Sequence, residues 1–362
     1  MNIEANCKTT AMGVLPHTDV NKALELVLSL DIPFWPQLPL LRFYEDMFAQ
    51  VSVGFPGIVI DPEKRMVRFD TSRFHDELAE YAQRSENSEM FKLHCQHSVS
   101  FYRFLETKLD KYPAIRGQVA GPVNFGFRVL DEENKPIIYN EEVRALLFDC
   151  VQRKVNVQYC ELVKKNDNAF IWLDEPGLGW VFTSFSGYND MQAQSDYRNF
   201  FSNIKGPKAL HLCLNVNLSY LLGLGLDILS INAYQLEVMP KGYTFAIVEF
   251  LKAGGIISWG MVPTCAVSLE YETPETLLSR LMNYWDVIVA HTDISLKQIA
   301  QKALLAPARC CIKSADIVRA DGSVGKNDTQ ERHIFSLEEG IVEQSFVYVR
   351  RMSEILKDKF NF

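Results

Sequence analysis

The stretch "ALHLC", Ala209–Cys213, is a short, mostly apolar run that ends with a histidine and a cysteine two positions apart. Alternate residues of a β-strand share a face, so a strand here places His211 and Cys213 side by side at its tip. The Asn- and Gly-punctuated stretch behind it stops the strand. Similar runs recur along the chain at Thr10–Leu15, Ile32–Trp35, Ile115–Ala120, Ala169–Asp174, Asp227–Ile231, Gly255–Trp259 and Leu304–Ala306, which brings the expected strands to eight. Most carry a proline close to their end, where it stops the ladder and opens a loop.

Amphipathic segments alternate with these runs. Val20, Leu24, Val27 and Leu28 recur at helical spacing behind Thr18, a candidate cap. Helices are also expected over 141–165, over 274–289 behind Thr273, and over 338–359. Between the second and third strands lies an insertion, about 48–112. It reads as a β-hairpin turning at Asp61–Lys64, followed by two helices over 72–111. The alternation predicts an α/β chain folded as a single (β/α)8 TIM barrel spanning 1–362, with the hairpin and helices inserted after its second strand. A doubly wound sheet is the alternative.

The chain has 362 residues, 48% of them hydrophobic and 23% charged, enough for a full-sized core. A net charge of −8 argues against nucleic acid as a partner. The start lacks a basic segment followed by an apolar one, and no apolar stretch reaches the length of a membrane span. A cytoplasmic location is therefore expected, with the eight scattered cysteines as thiols or metal ligands rather than disulfides. No glycine-rich nucleotide loop follows a strand.

In a barrel, chemistry belongs at the C-terminal tips of the strands. His211 and Cys213 fall there, and Cys310 sits just past the last expected strand. One imidazole and two thiolates make a zinc set that leaves a position open, and a thiol bound there loses its proton at neutral pH. The competing reading is a hydrogen-bonded core histidine and a small buried cysteine. Cys311, next to Cys310, reads as structural. Asp174 and Glu175 follow the run "FIWL", and only one of two neighbours can face the barrel mouth; Asp174 is the candidate to hold a substrate's polar end. The pair His94 and His97 reads as one face of a helix at an interface or in solvent. Phe34, Trp35, Trp180, Phe182 and Trp259 are candidates for an apolar pocket wall.

Taken in order, "MGVLPHTD", "IPFWPQLP", "GQVAGPVNFG", "IWLDEPGLG", "HLCLN", "LDILSINAY", "ISWGMVPT" and "LAPARCC" resemble the catalytic domain of cobalamin-independent methionine synthase. Its superfamily also holds uroporphyrinogen decarboxylase and the corrinoid-to-thiol methyltransferases. The resemblance implies a (β/α)8 barrel and a zinc ion, held by His211, Cys213 and Cys310, that activates a thiol for methyl transfer. It also implies that Asp174 is the catalytic carboxylate holding the substrate's amino group, and that Gly13 and Trp259 are substrate-binding positions. The sequence departs from the synthases at Val14, where they have serine, at Pro36-Gln37, where they have a carboxylate, and at Asn232, where they have a zinc-binding glutamate. A three-ligand site is closer to the corrinoid-using methyltransferases, which implies a corrinoid as methyl donor or acceptor, on its own or carried by a partner protein. The function expected is a zinc-dependent methyltransferase acting on a small thiol, with a homodimer allowed. A non-catalytic corrinoid- or ligand-binding barrel and a decarboxylase-like lyase stay open.

Overall fold

In the computed structural model of the chain, residues 3–183, 187–214, 217–310 and 328–362 are described. Seven strands form one parallel sheet. They are β1 (Lys8–Thr9), β4 (Ile115–Ala120), β5 (Ala169–Asp174), β6 (Lys208–Leu212), β7 (Ile228–Ile231), β8 (Ile256–Val262) and β9 (Ala303–Pro307), in the spatial order β1-β9-β8-β7-β6-β5-β4. From β4 to β9 the strands pair in chain order, as successive right-handed crossovers produce. The insertion carries an antiparallel hairpin of its own, β2 (Ile58–Asp61) on β3 (Met66–Phe69), turning where Asp61–Lys64 was expected to turn.

The sheet is curled, and its two faces carry different side chains. Phe170, Trp172, Ala209, Ile228, Ile256, Leu304 and Ala306 join Met12 and Ile32 in a cluster that contains no helix residue. Their strand neighbours Ile171, Leu173, Leu210, Leu229, Ile257 and Leu305 belong to the larger cluster shared with the helices. Period-two alternation thus divides a concave inner face from a convex face that the helices cover. The helix Glu141–Val163, capped by the Asn140 side chain, packs on β4 and β5. The helix Pro274–Ala290 starts with a Thr273–Thr276 capping box and lays Trp285 against the sheet.

The structure corrects the expected strand count. Ile32–Trp35 is extended but is not a strand. The Ile32 amide donates to the Thr9 carbonyl at 2.9 Å, and the Arg116 amide donates to the Pro33 carbonyl at 3.0 Å. Isolated parallel bridges link Phe34 to Arg116 and Val14 to Gln37. Pro33 and Pro36 have no amide hydrogen, so a continuous ladder cannot form here. The chain that was expected to be a strand over Thr10–Leu15 passes from β9, through the Thr10 amide on Leu305, to Gln37, which both donates to Gly13 and accepts from Leu15. The cap of the first helix, Val20–Val27, is Asp19 rather than Thr18.

β8 breaks register against β9 between Gly260 and Val262. A Cβ at Gly260 would sit 2.6 Å from the Ile231 carbonyl oxygen and 3.0 Å from both Ala308 Cα and the Pro307 oxygen, all of them backbone. Gly260→Ala is therefore expected to lower stability by about 2 kcal/mol. The check is a lower urea midpoint at unchanged slope.

Candidate functional site

His211 lies on the inner face of β6, in register with Asp174 of β5 and Ser230 of β7. It is fully buried, and its ring stacks on Trp172 at 5.8 Å between centroids. Its Nδ1 is 3.0 Å from Ser230 Oγ, and its Nε2 is 2.9 Å from Cys213 Sγ. The sharing of one face by residues two apart therefore does bring the ring and the sulfur together. The Cys213 sulfur also hydrogen-bonds the Cys310 side chain. This bond and the neighbouring imidazole outweigh burial and hold the Cys213 thiol well below its ordinary range. At His211, burial acts to lower the ring, but Cys213 and Asp174 outweigh it and the net shift is upward. Thr264 donates to the Cys310 carbonyl at 3.2 Å and fixes the turn behind β9.

Asn232, at the tip of β7, braces this group. Its amide donates to the Cys213 carbonyl at 3.0 Å, and its oxygen accepts from the Gln235 amide at 3.3 Å. The nitrogen end holds the Cys213 segment, and the oxygen end caps the short helical turn Ala233–Gln235 that follows β7. Among the described residues, no group of three or more His, Cys, Asp or Glu side chains is placed so that it could hold a metal ion. The donor types at the tip of β6 are nevertheless ones that zinc takes: an imidazole whose other nitrogen is hydrogen-bonded to a hydroxyl, a sulfur in contact with it, and a second sulfur hydrogen-bonded to the first.

Asp174 and Glu175 part as neighbours on a strand must. Asp174 is buried on the inner face, where desolvation pushes its carboxyl up to about 6 while the charges of His211 and Arg116 act to lower it. Glu175 turns away. It accepts from the amides of Val123 at 3.0 Å and Asn124 at 2.7 Å, and from the Tyr197 hydroxyl. It therefore ties the start of helix Pro122–Arg128 to the sheet.

Arg116 is a polar inner-face residue that the sequence reading missed, although an arginine inside "AIRGQVA" is a visible signal. It is fully buried between the rings of Phe34 and Trp172, at 4.3 and 4.0 Å. Its Nε donates to Thr10 Oγ1 and its Nη1 to Gln118 Oε1, both at 3.1 Å, while Nη2 has no partner among the described residues. Burial pushes the guanidinium down to about 9, against the opposing charges of Asp174 and Cys310.

Other expected positions fall elsewhere. Trp259 is corrected as a substrate contact. The inward residue of β8 at this level is Ser258, so Trp259 faces the helices and packs on Trp285 at 6.1 Å. Gly13 packs against Gln118, whose Cδ lies 2.3 Å from where a Cβ would stand. The aromatic residues do not form one wall. Trp35 meets Phe101, Trp180 meets Phe127, and Phe182 meets Tyr220. His94 and His97 lie on a turn rather than a helix, with their rings 6.4 Å apart. Cys311 lies outside the described residues.

No family model matches the chain, and no curated protein matches it. Among solved structures, it is similar to a Listeria monocytogenes protein provisionally assigned as a vitamin-B12-independent methionine synthase. The identity is 13%, the TM-score 0.48, and the match covers 93% of this chain and 84% of that one. It is also similar to a B12-independent methionine synthase from Shewanella sp. W3-18-1, solved with selenomethionine, at 12% identity and a TM-score of 0.45 over 68% of this chain. The match spans 63% of the Shewanella protein's length. No helix among the described residues is long and apolar enough to cross a membrane.

Proposed function

We propose that this chain is a zinc-dependent methyltransferase that moves a methyl group to or from a small thiol. The observation that supports this reading is the contact of His211 Nε2 with the Cys213 sulfur at 2.9 Å, together with the hydrogen bond from that sulfur to Cys310. In this reading His211, Cys213 and Cys310 hold the zinc. When bound, zinc acts as a Lewis acid that lowers the pKa of a coordinated substrate thiol. In this reading the Nδ1–H of His211 donates to Ser230 Oγ, which leaves the Nε2 lone pair for the metal. Asn232 positions Cys213 through the backbone carbonyl. Asp174 receives the polar, cationic end of the substrate. The thiolate's electron pair forms the new sulfur–carbon bond, and the bond between methyl and donor breaks with its pair left on the donor. A methylated corrinoid, by itself or on a partner protein, suits that leaving-group role, and a reducing cytoplasm suits the two thiols.

Incubation with methylcobalamin and a panel of thiols, on protein purified without added metal, tests the proposal. The expected result is a methyl thioether, formed by protein carrying about one zinc per chain. Absence of both product and zinc removes the reading. Asp174→Asn is expected to raise KM for an amino-bearing thiol by about 10–100-fold, the worth of a charge-assisted hydrogen bond. A thiol without an amino group should show no such rise.

A further inference from the structure

A cavity of about 170 Å³, whose lining does not include His211, lies between the inserted elements, β4 and the helix Glu141–Val163. Lys154, Val157, Gln158 and Glu161 line it at helical spacing, so one face of that helix forms a wall. Val51, Phe91, Phe101 and Leu105 supply apolar surface opposite. Much of its polar lining is buried: Gln37 is 1%, Gln50 6% and Lys154 7% exposed. Lys92 and Glu161 are more exposed lining residues, with side chains 30% and 25% exposed.

The hydrogen-bonding capacity of this buried polar lining is not filled by the described residues. An ammonium has three hydrogens to donate. Lys154 gives one to the Val53 carbonyl at 2.7 Å, and among the described residues no carboxylate pairs with it. Glu161, two turns along the same helix face, is engaged by Lys164 at 2.9 Å and Lys92 at 3.6 Å. Gln37 donates its amide to Gln50 at 2.7 Å, and Gln50 donates its own to the His97 carbonyl at 3.1 Å, which leaves Gln37 Oε1 without a partner among the described residues. A buried cation with free donors, a buried acceptor with none, and apolar walls together describe a receptor for an amphiphilic anion. Size narrows the class, because a cavity of about 150 Å³ in another protein takes one benzene.

We propose that this cavity binds a small carboxylic acid of about six to nine heavy atoms, its carboxylate on Lys154 and its apolar body against Phe91, Phe101 and Leu105. Gln37 Oε1 supplies the acceptor for a hydroxyl or amine on such a ligand. None of His211, Cys213, Cys310 and Asp174 lines it, and the proposal stands whether or not the thiol chemistry does.

Titration calorimetry of the full chain with hexanoate, hexanol and dodecanoate tests it. Hexanoate is expected to bind saturably, and hexanol at least about tenfold more weakly, since it lacks the charge. Lys154→Met and Lys154→Gln should each abolish that preference; the glutamine keeps a donor for the Val53 carbonyl and so guards against a loss that only reflects folding. Leu105→Trp, which fills the cavity, should abolish binding of both short ligands. The proposal is overturned if hexanoate shows no saturable binding, if Lys154→Gln binds it as the parent does, or if dodecanoate binds as tightly as hexanoate.

Discussion

Cys213→Ser is expected to lower methyl transfer to the thiol by on the order of 10³-fold, because the several kcal/mol of charge stabilisation supplied by a metal depend on its ligands. A serine hydroxyl is a poor zinc ligand, so the change removes the one sulfur that touches His211 Nε2 and also hydrogen-bonds Cys310. Zinc content should fall with activity from about one per chain toward zero. The fold should persist, because Cys213 lies beyond the last residue of β6 and its backbone carbonyl, not its sulfur, is the atom that Asn232 holds. Circular dichroism unchanged alongside lost zinc is the pattern that separates loss of the site from loss of the fold. Full activity in Cys213→Ser would remove the sulfur from the chemistry.

Glu175→Ala is expected to cost about 3 kcal/mol of stability, the scale of stranding buried donors. The Val123 and Asn124 amides and the Tyr197 hydroxyl all lose their acceptor, and Tyr197 is itself fully buried. The effect also has a pH signature. Burial pushes the Glu175 carboxyl up to about 8, against the hydrogen bonds from Tyr197, Asn124 and Val123. The ordinary value is about 4.3, so the folded chain favours the protonated form. That contribution to stability is complete below about pH 4 and is lost as the pH rises through about 8. Urea midpoints across this range should fall for the parent and fall less for Glu175→Ala. Parallel slopes in the two would show that Glu175 does not titrate there.

Much of the scaffold was legible because single residues decide it. "IRGQVA" and "AFIWLD" form strands at the expected bounds, since each is a short apolar run closed by Gly121 or Glu175. The second expected strand failed because Pro33 and Pro36 take away the hydrogens that a ladder needs, which an apolar pattern alone does not weigh. Within the site, the neighbouring of His211 and Cys213 followed from strand periodicity. The approach of Cys310 did not, because contacts between distant strand tips depend on how the sheet curls; its place just past the last expected strand and the family resemblance suggested it. Trp259 was misplaced because a run such as "IISWG" does not say which alternate residues face inward. Arg116 was overlooked inside an apolar run, and the bracing roles of Ser230 and Asn232 emerge only when neighbouring strands are set in register.

The central claim is that His211, Cys213 and Cys310 grip one divalent cation. Zinc-edge X-ray absorption on protein purified without added metal tests it most directly. One nitrogen at about 2.0 Å and two sulfurs at about 2.3 Å are expected, with one sulfur lost in Cys310→Ser. Zinc-free protein in which Cys213 and Cys310 are joined as a disulfide, or a zinc spectrum without sulfur, would contradict it.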